Sequence, residues 1–240
     1  LTAYVQAESR DILAVLAQAT AGNTLKQDIS DFGSKPAELA TCRIMQLVYY
    51  HLIWADIQSS WLFSQTAFDQ LDEIVSNGQD ETRFANEIEK YLFSRLSGAC
   101  REFPIIHGQT SWPDRETKRH LADRLKNDSI SLQLLGIGMK SDVCFNEPGF
   151  HPDRYFTVTS LAERTLKSNG YQLSKRALTF CIAEIMSAHR IIMVATGRTK
   201  SSATATMIDG SQSVGYASIL LSAYADMKLF LDRTAAKDFS

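Results

Sequence analysis

Two groups of carboxylates stand where proton chemistry would need them. Asp69, Asp72 and Glu73 follow the apolar run Trp61-Leu62-Phe63, and Asp142 and Glu147 follow the run from Ile130 to Leu135. If both runs are strands of one sheet, carboxylates just beyond their ends converge over one pocket. Partly stripped of water there, they hold protons at neutral pH and pass them to a substrate. The plainer alternative is that acidic residues beside a helix N-terminus offset its macrodipole. Lys200, just past Gly197 at a strand-to-helix turn, suits an anion. Backbone N–H groups would hold a phosphate there, and the ammonium would add a point charge. Gly33-Ser34-Lys35-Pro36 offers a second cradle of that kind. A solvated turn is the alternative for both.

Other chemistries lack their residues. Gly136-Ile137-Gly138 is a G-x-G turn after a strand, but Ser141 stands where a dinucleotide fingerprint has its third glycine. A tight turn with backbone close to a ligand is the better reading. Gly210 and Gly215 have P-loop spacing, yet Tyr216-Ala217 follows in place of Lys-Ser/Thr. Asp31-Phe32-Gly33 has no kinase loops around it. The five histidines show no H-E-x-x-H spacing, and only His151 lies near a suspected site. Cys42, Cys100, Cys144 and Cys181 are far apart, which fits reduced thiols better than a zinc site or disulfides. No serine or cysteine sits in a G-x-S-x-G elbow, which disfavours a covalent hydrolase.

Positioning such residues requires strands that alternate with helices. Helical spacing predicts helices over 4–20, 41–57, 80–96 and 115–126, the third with Phe84, Ile88, Tyr91 and Leu92 on one stripe. Between them lie the short apolar runs 61–63, 130–135, 190–195 and 227–231, each ending at Gly or an acidic residue. That alternation predicts an α/β fold, a single doubly wound, Rossmann-like domain over 1–240 with a mostly parallel sheet flanked by helices. Ligands of such sheets bind beyond the carboxyl ends of the strands, which returns attention to the residues above.

The composition agrees. The 240 residues are 45% hydrophobic and 22% charged, with a formal net charge of −2. These values exclude a disordered chain and offer no basic footprint for nucleic acid. The longest apolar stretch, around Ile44 to Ala55, is too short and mixed to span a bilayer. The opening residues show no basic or apolar leader, so a signal peptide is not expected. A cytoplasmic protein with a small-molecule partner is the expectation.

Several stretches together carry a resemblance. Leu134-Leu135-Gly136-Ile137-Gly138 followed by Phe145-Asn146-Glu147-Pro148-Gly149 resembles the signature loop of the glucosamine-6-phosphate deaminase/isomerase family, relatives of the 6-phosphogluconolactonases. In the family's order, Phe68–Glu73 resembles its F-N-x-D-E segment and Thr196-Gly197-Arg198-Thr199-Lys200 its T-G-x-x-K phosphate turn. Ala217–Leu221 leading to Leu229–Asp232 resembles its closing strand, and Gly33–Pro36 its G-[GS]-T-P loop.

The resemblance implies a doubly wound domain, often a homo-oligomer, that needs no metal or other cofactor. Its reaction opens the ring of an amino-sugar phosphate, shuttles a proton between C1 and C2, and releases ammonia. By this match Asp72 is the proton shuttle, Glu147 and Asp142 serve ring opening, and Gly136, Gly138 and Lys140 line the substrate turn. Lys200, with Gly33, Ser34 and Lys35, holds the phosphate.

The family's D-G-H reads Lys140-Ser141-Asp142 here, so Asp142 replaces the ring-opening histidine and Lys140 its supporting aspartate. Tyr171 stands where an arginine is expected on the phosphate, and Lys35 replaces the loop threonine. Two basic positions tied to an allosteric anion site in some members fall near Thr157 and Thr159. The alternative reading is therefore a catalytically silent sugar-phosphate-binding or regulatory protein of the same fold.

Overall fold

The computed structural model describes residues 2–6, 37–41, 66–75, 84–96, 130–151, 156–169, 175–210 and 215–238. In chain order its strands are β1 (Thr2–Gln6), β2 (Ala37–Thr41), β3 (Thr66–Gln70), β4 (Asp72–Ile74) and β5 (Leu132–Gly136). They continue with β6 (Thr157–Ser160), β7 (Arg176–Thr179), β8 (Arg190–Ala195) and β9 (Met227–Asp232). The helices are α1 (Phe84–Tyr91), α2 (Glu163–Asn169), α3 (Ile182–Ile185), α4 (Ser201–Asp209) and α5 (Ala217–Ser222).

Six strands form one sheet in the order β1-β9-β8-β5-β2-β3, every neighbouring pair parallel. β5, β8 and β9 are near-continuous apolar runs because a parallel sheet flanked by helices is covered on both faces. Leu132, Leu135, Ile191, Met193, Leu229 and Leu231 are fully buried in one core. Each such side chain contributes about 1.5–3 kcal/mol by leaving water. The α/β, mostly parallel, Rossmann-like architecture expected from the sequence is the one observed.

Local readings differ in places. Residues 2–6 are strand, not the start of a helix: β1 pairs with β9, Thr2 opposite Lys228. Thr41 closes β2 and does not open a helix. β3 lies at Thr66–Gln70, later than the run at 61–63, so Asp69 sits inside the strand, buried. The helix expected over 80–96 is α1 followed by a 3-10 turn at Phe93–Arg95. The helix expected over 115–126, most of those over 4–20 and 41–57, and Gly33, Ser34, Lys35 and Tyr171 lie outside the described residues.

A second sheet, β4-β7-β6, is antiparallel and was not expected. It begins where the parallel sheet ends. Only Leu71 separates β3 from β4, and its carbonyl accepts the Phe180 N–H (2.9 Å) just beyond β7. Ile74, Phe84, Phe145, Leu161 and Ala177 form a small apolar cluster of their own around this second sheet. Among the described residues no helix is long and apolar enough to cross a membrane.

Candidate functional site

β3 delivers Asp72 and Glu73 to the carboxyl end of the parallel sheet, where the chain turns into β4. Both are buried. Asp72 lies opposite Thr179 in the β4–β7 pairing. Glu73 accepts four hydrogen bonds: Ile74 N (2.8 Å) and Phe84 N (3.1 Å) on Oε1, Ala85 N (3.0 Å) and Gln70 Nε2 (3.1 Å) on Oε2. The carboxylate thus holds the first N–H groups of α1, which would otherwise lack partners. Burial pushes its pKa up, and the four hydrogen bonds pull back without cancelling that shift. The helix-terminus alternative therefore describes Glu73, although the helix begins eleven residues later.

The loop after β5 is wound tightly. Gly138 N donates to Asp142 O (2.7 Å), Ser141 N to Gly138 O (3.2 Å), and Lys140 N to Asp142 Oδ1 (3.2 Å). Asp142 therefore curls back over the turn, and a Cβ on Gly138 would lie 1.9 Å from its Oδ2. Glycine at 138 makes room for that carboxylate. Burial raises the pKa of Asp142; its own backbone N–H and that of Lys140 oppose the shift by hydrogen bonding, the positive charge of Lys200 opposes it further, and the negative charge of Glu147 adds to it. Of the two lysines, Lys200 is the one whose charge acts on Asp142. Lys140 contributes its backbone N–H, while its side chain is exposed.

Ser141 and Cys144 hold φ of 60° and 52°, a conformation that costs a side chain about 1–2 kcal/mol. The family resemblance has glycine at 141. Ser141→Gly is expected to stabilise the fold by roughly 0.5–1 kcal/mol, after allowing for the freer unfolded chain. A rise in the thermal midpoint checks this; a fall would mean that the Ser141 hydroxyl contact matters more than the strain.

Three links tie this loop to the Asp72 segment. Asn146 Nδ2 donates to Val143 O (3.0 Å) and Phe180 O (2.8 Å). Phe145 N donates to Thr179 Oγ1 (3.2 Å), and the Phe145 ring stacks on Phe84 at 5.7 Å. Thr179 therefore faces Asp72 through the strand pairing and Phe145 through its hydroxyl. No spacing rule pointed to it in the sequence. Glu147 accepts Ala162 N (3.0 Å) on Oε2 and Thr165 Oγ1 (2.5 Å) on Oε1, at the start of α2. That arrangement fixes the carboxylate beside the loop.

Beyond β8, Gly197 at φ 87° turns the chain into a 3-10 turn, Arg198–Lys200, and then α4. Lys200 N donates to Gly197 O (3.0 Å). Gly197 N donates to Asp232 Oδ2 (2.9 Å) at the end of β9, while Asp232 Oδ1 accepts Ala235 N (2.7 Å) and Thr234 Oγ1 (2.9 Å). Asp232 clamps the Lys200 turn, a role that its place at a strand end only hinted at. Asp72, the Gly136–Glu147 loop and Lys200 thus follow strands of one parallel sheet and share its carboxyl edge. Among the described residues, no three His, Cys, Asp or Glu side chains gather as a metal site.

No family model matches the chain. A glucosamine-6-phosphate deaminase of Oceanobacillus iheyensis is 26% identical, over 98% of this chain and 96% of that protein. That of Exiguobacterium sibiricum is 31% identical, over 69% of this chain and 68% of its own length. One from another Exiguobacterium strain is 30% identical over 73% of each. Among solved structures, a monomeric glucosamine-6-phosphate deaminase superposes with a TM-score of 0.85 at 22% identity, covering 99% of this chain and 100% of that one. A 6-phosphogluconolactonase from Leishmania guyanensis gives 0.74 at 16%, covering 100% and 98%. These structures share the fold, and the sequence relatives settle the lineage. The chain belongs to the glucosamine-6-phosphate deaminase family.

Proposed function

We propose that the protein, as one domain over 1–240, converts an amino-sugar phosphate, glucosamine 6-phosphate, to the ketose phosphate and ammonia. The observation that carries the reading is the shared carboxyl edge of Asp72, Asp142, Glu147 and Lys200, in a chain of this family. Asp142 serves ring opening by moving the proton from the anomeric hydroxyl to the ring oxygen, with Glu147 beside it. Burial supports that role, since a carboxylic acid must hold its proton near neutral pH to deliver it.

Asp72 then takes the proton from C2 and returns it to C1. The C1 oxygen gains a proton as the nitrogen gives one up, the double bond moves to C2 and nitrogen, water adds at C2, and ammonia leaves. C1 is reduced as C2 is oxidised within the one molecule, so no redox partner enters. Lys200 holds the phosphate through its ammonium, with Lys35, Gly33 and Ser34 as a second contact. Gly136, Gly138 and Lys140 form the wall of the substrate turn.

Proton NMR of glucosamine 6-phosphate with the protein in D₂O tests this directly. Carbon-bound deuterium and the appearance of fructose 6-phosphate are expected. Unchanged substrate with broadened ligand lines would overturn the catalytic reading in favour of silent binding.

A further inference from the structure

The turn after β5 and the turn after β8 are in contact. Ser141 Oγ donates to Ala203 O (3.4 Å) in the first turn of α4, and Ser141 O accepts Ser218 N (3.2 Å) from α5. Ser141 is the neighbour of Asp142, and Ala203 lies one turn past Lys200, so this contact holds the turn that carries Asp142 against the start of the helix that follows Lys200. Among the described residues, the charges that act on Asp142 are Lys200 from the β8 turn, which lowers its proton affinity, and Glu147 from its own loop, which raises it. Glu147 is engaged by Ala162 N and Thr165 Oγ1. The Asp142 carboxylate is anchored by Lys140 N and seated against Gly138.

We propose that Asp142 and Lys200 form a proton-linked anion site, in which a dianion docking on Lys200 draws a solvent proton onto Asp142 and frees it on leaving. The inference rests on the phosphate-binding reading of Lys200 given above. With the site open, the Lys200 ammonium is the positive charge that favours ionisation of the partly buried Asp142 carboxylate. A phosphate beside that ammonium neutralises it and adds negative charge nearby. Like charges crowded in a partly buried turn disfavour one another's ionisation, and the group whose proton affinity burial has already raised takes the proton. The consequence is selective. A sugar carrying a phosphate adds a proton to its own ring-opening acid as it binds, whereas the same sugar without phosphate draws none.

Sulfate is the probe, because it stays doubly charged across the range in which phosphate itself titrates, near pH 6. Its affinity for the wild-type protein is expected to rise as pH falls from about 7.5 to about 4.5, approaching tenfold per pH unit at the steepest point. In Asp142→Asn, which keeps the size of the side chain and an oxygen for Lys140 N, sulfate binds more tightly at the alkaline end. The Asp142 part of the pH dependence disappears. Calorimetry on the wild-type protein in buffers of different ionisation heat reads the proton uptake without any variant.

Equal pH profiles in the two proteins, or binding heats independent of the buffer, would overturn the proposal while leaving the phosphate site standing. Sulfate affinity unchanged in Lys200→Met would overturn the phosphate reading and the linkage with it.

Discussion

Asp72→Asn is expected to remove turnover of glucosamine 6-phosphate by a factor of about 10²–10⁴, the typical contribution of a positioned proton carrier. The thermal midpoint should move little. The amide matches the carboxylate in size and keeps one acceptor oxygen, and the backbone pairing of Asp72 with Thr179 does not involve the side chain. Asp72 is buried, so an amide there also relieves the cost of dehydrating a charge. The amide cannot take a proton from C2. Deuterium exchange and ammonia release should therefore fall together, while sulfate affinity at Lys200 stays at the wild-type value. Full activity in this variant would sink the assignment of Asp72. Loss of sulfate binding in step with turnover would point instead to a collapsed pocket.

The parts of this molecule legible in its sequence are those that solve their own burial locally. Ile191 to Ala195 and Leu229 to Leu231 are apolar on both faces, and only a covered parallel strand has use for such a run. α1 shows its stripe through Phe84 and Ile88, Phe84 buried in the cluster of the second sheet and Ile88 in the main core.

β1 is different. Residues 4–6 fall at the start of the helical spacing read over 4–20, and what makes them a strand is β9 at the other end of the chain, a partner invisible to local periodicity. β4, β6 and β7 are three or four residues long, and Thr157–Ser160 is only partly buried. Strands so short carry no apolar alternation to detect. The candidate site divides in the same way. Residue type and position after a strand pointed to Asp72, Asp142, Glu147 and Lys200. The effect of the Lys200 charge on Asp142 did not follow, because spacing favoured the nearer Lys140.

Glu73, adjacent to Asp72, is expected to behave in the opposite manner. Glu73→Ala would leave the N–H groups of Ile74, Phe84 and Ala85 without their acceptor, together with the Gln70 amide that also donates to Asp72 O (2.9 Å). Each buried donor left unmade costs about 1–3 kcal/mol; with some relaxation the loss is on the order of 3–5 kcal/mol. A domain whose whole margin is about 5–15 kcal/mol should then melt far earlier. Glu73→Gln should fall between. Its oxygen still serves one pair of donors, while its NH₂ faces the other pair, either Ile74 N and Phe84 N or Ala85 N and Gln70 Nε2.

The pH dependence carries a sign that separates burial from ion pairing. Because burial raises the folded-state pKa of Glu73, the folded protein binds its proton more tightly than the unfolded chain. That contribution to stability is fully present below the unfolded pKa and is lost as pH rises through the folded one. Asp142 shifts in the same direction for the same reason, as does Glu184, a buried residue of α3 whose carboxylate accepts Cys181 N (2.9 Å). These groups favour the fold as pH falls from neutral toward about 5, contrary to a carboxylate stabilised by an ion pair. Denaturant melts across that window should show Glu73→Ala losing part of the gain. An unchanged slope would mean that the four hydrogen bonds, not burial, set the proton affinity of Glu73.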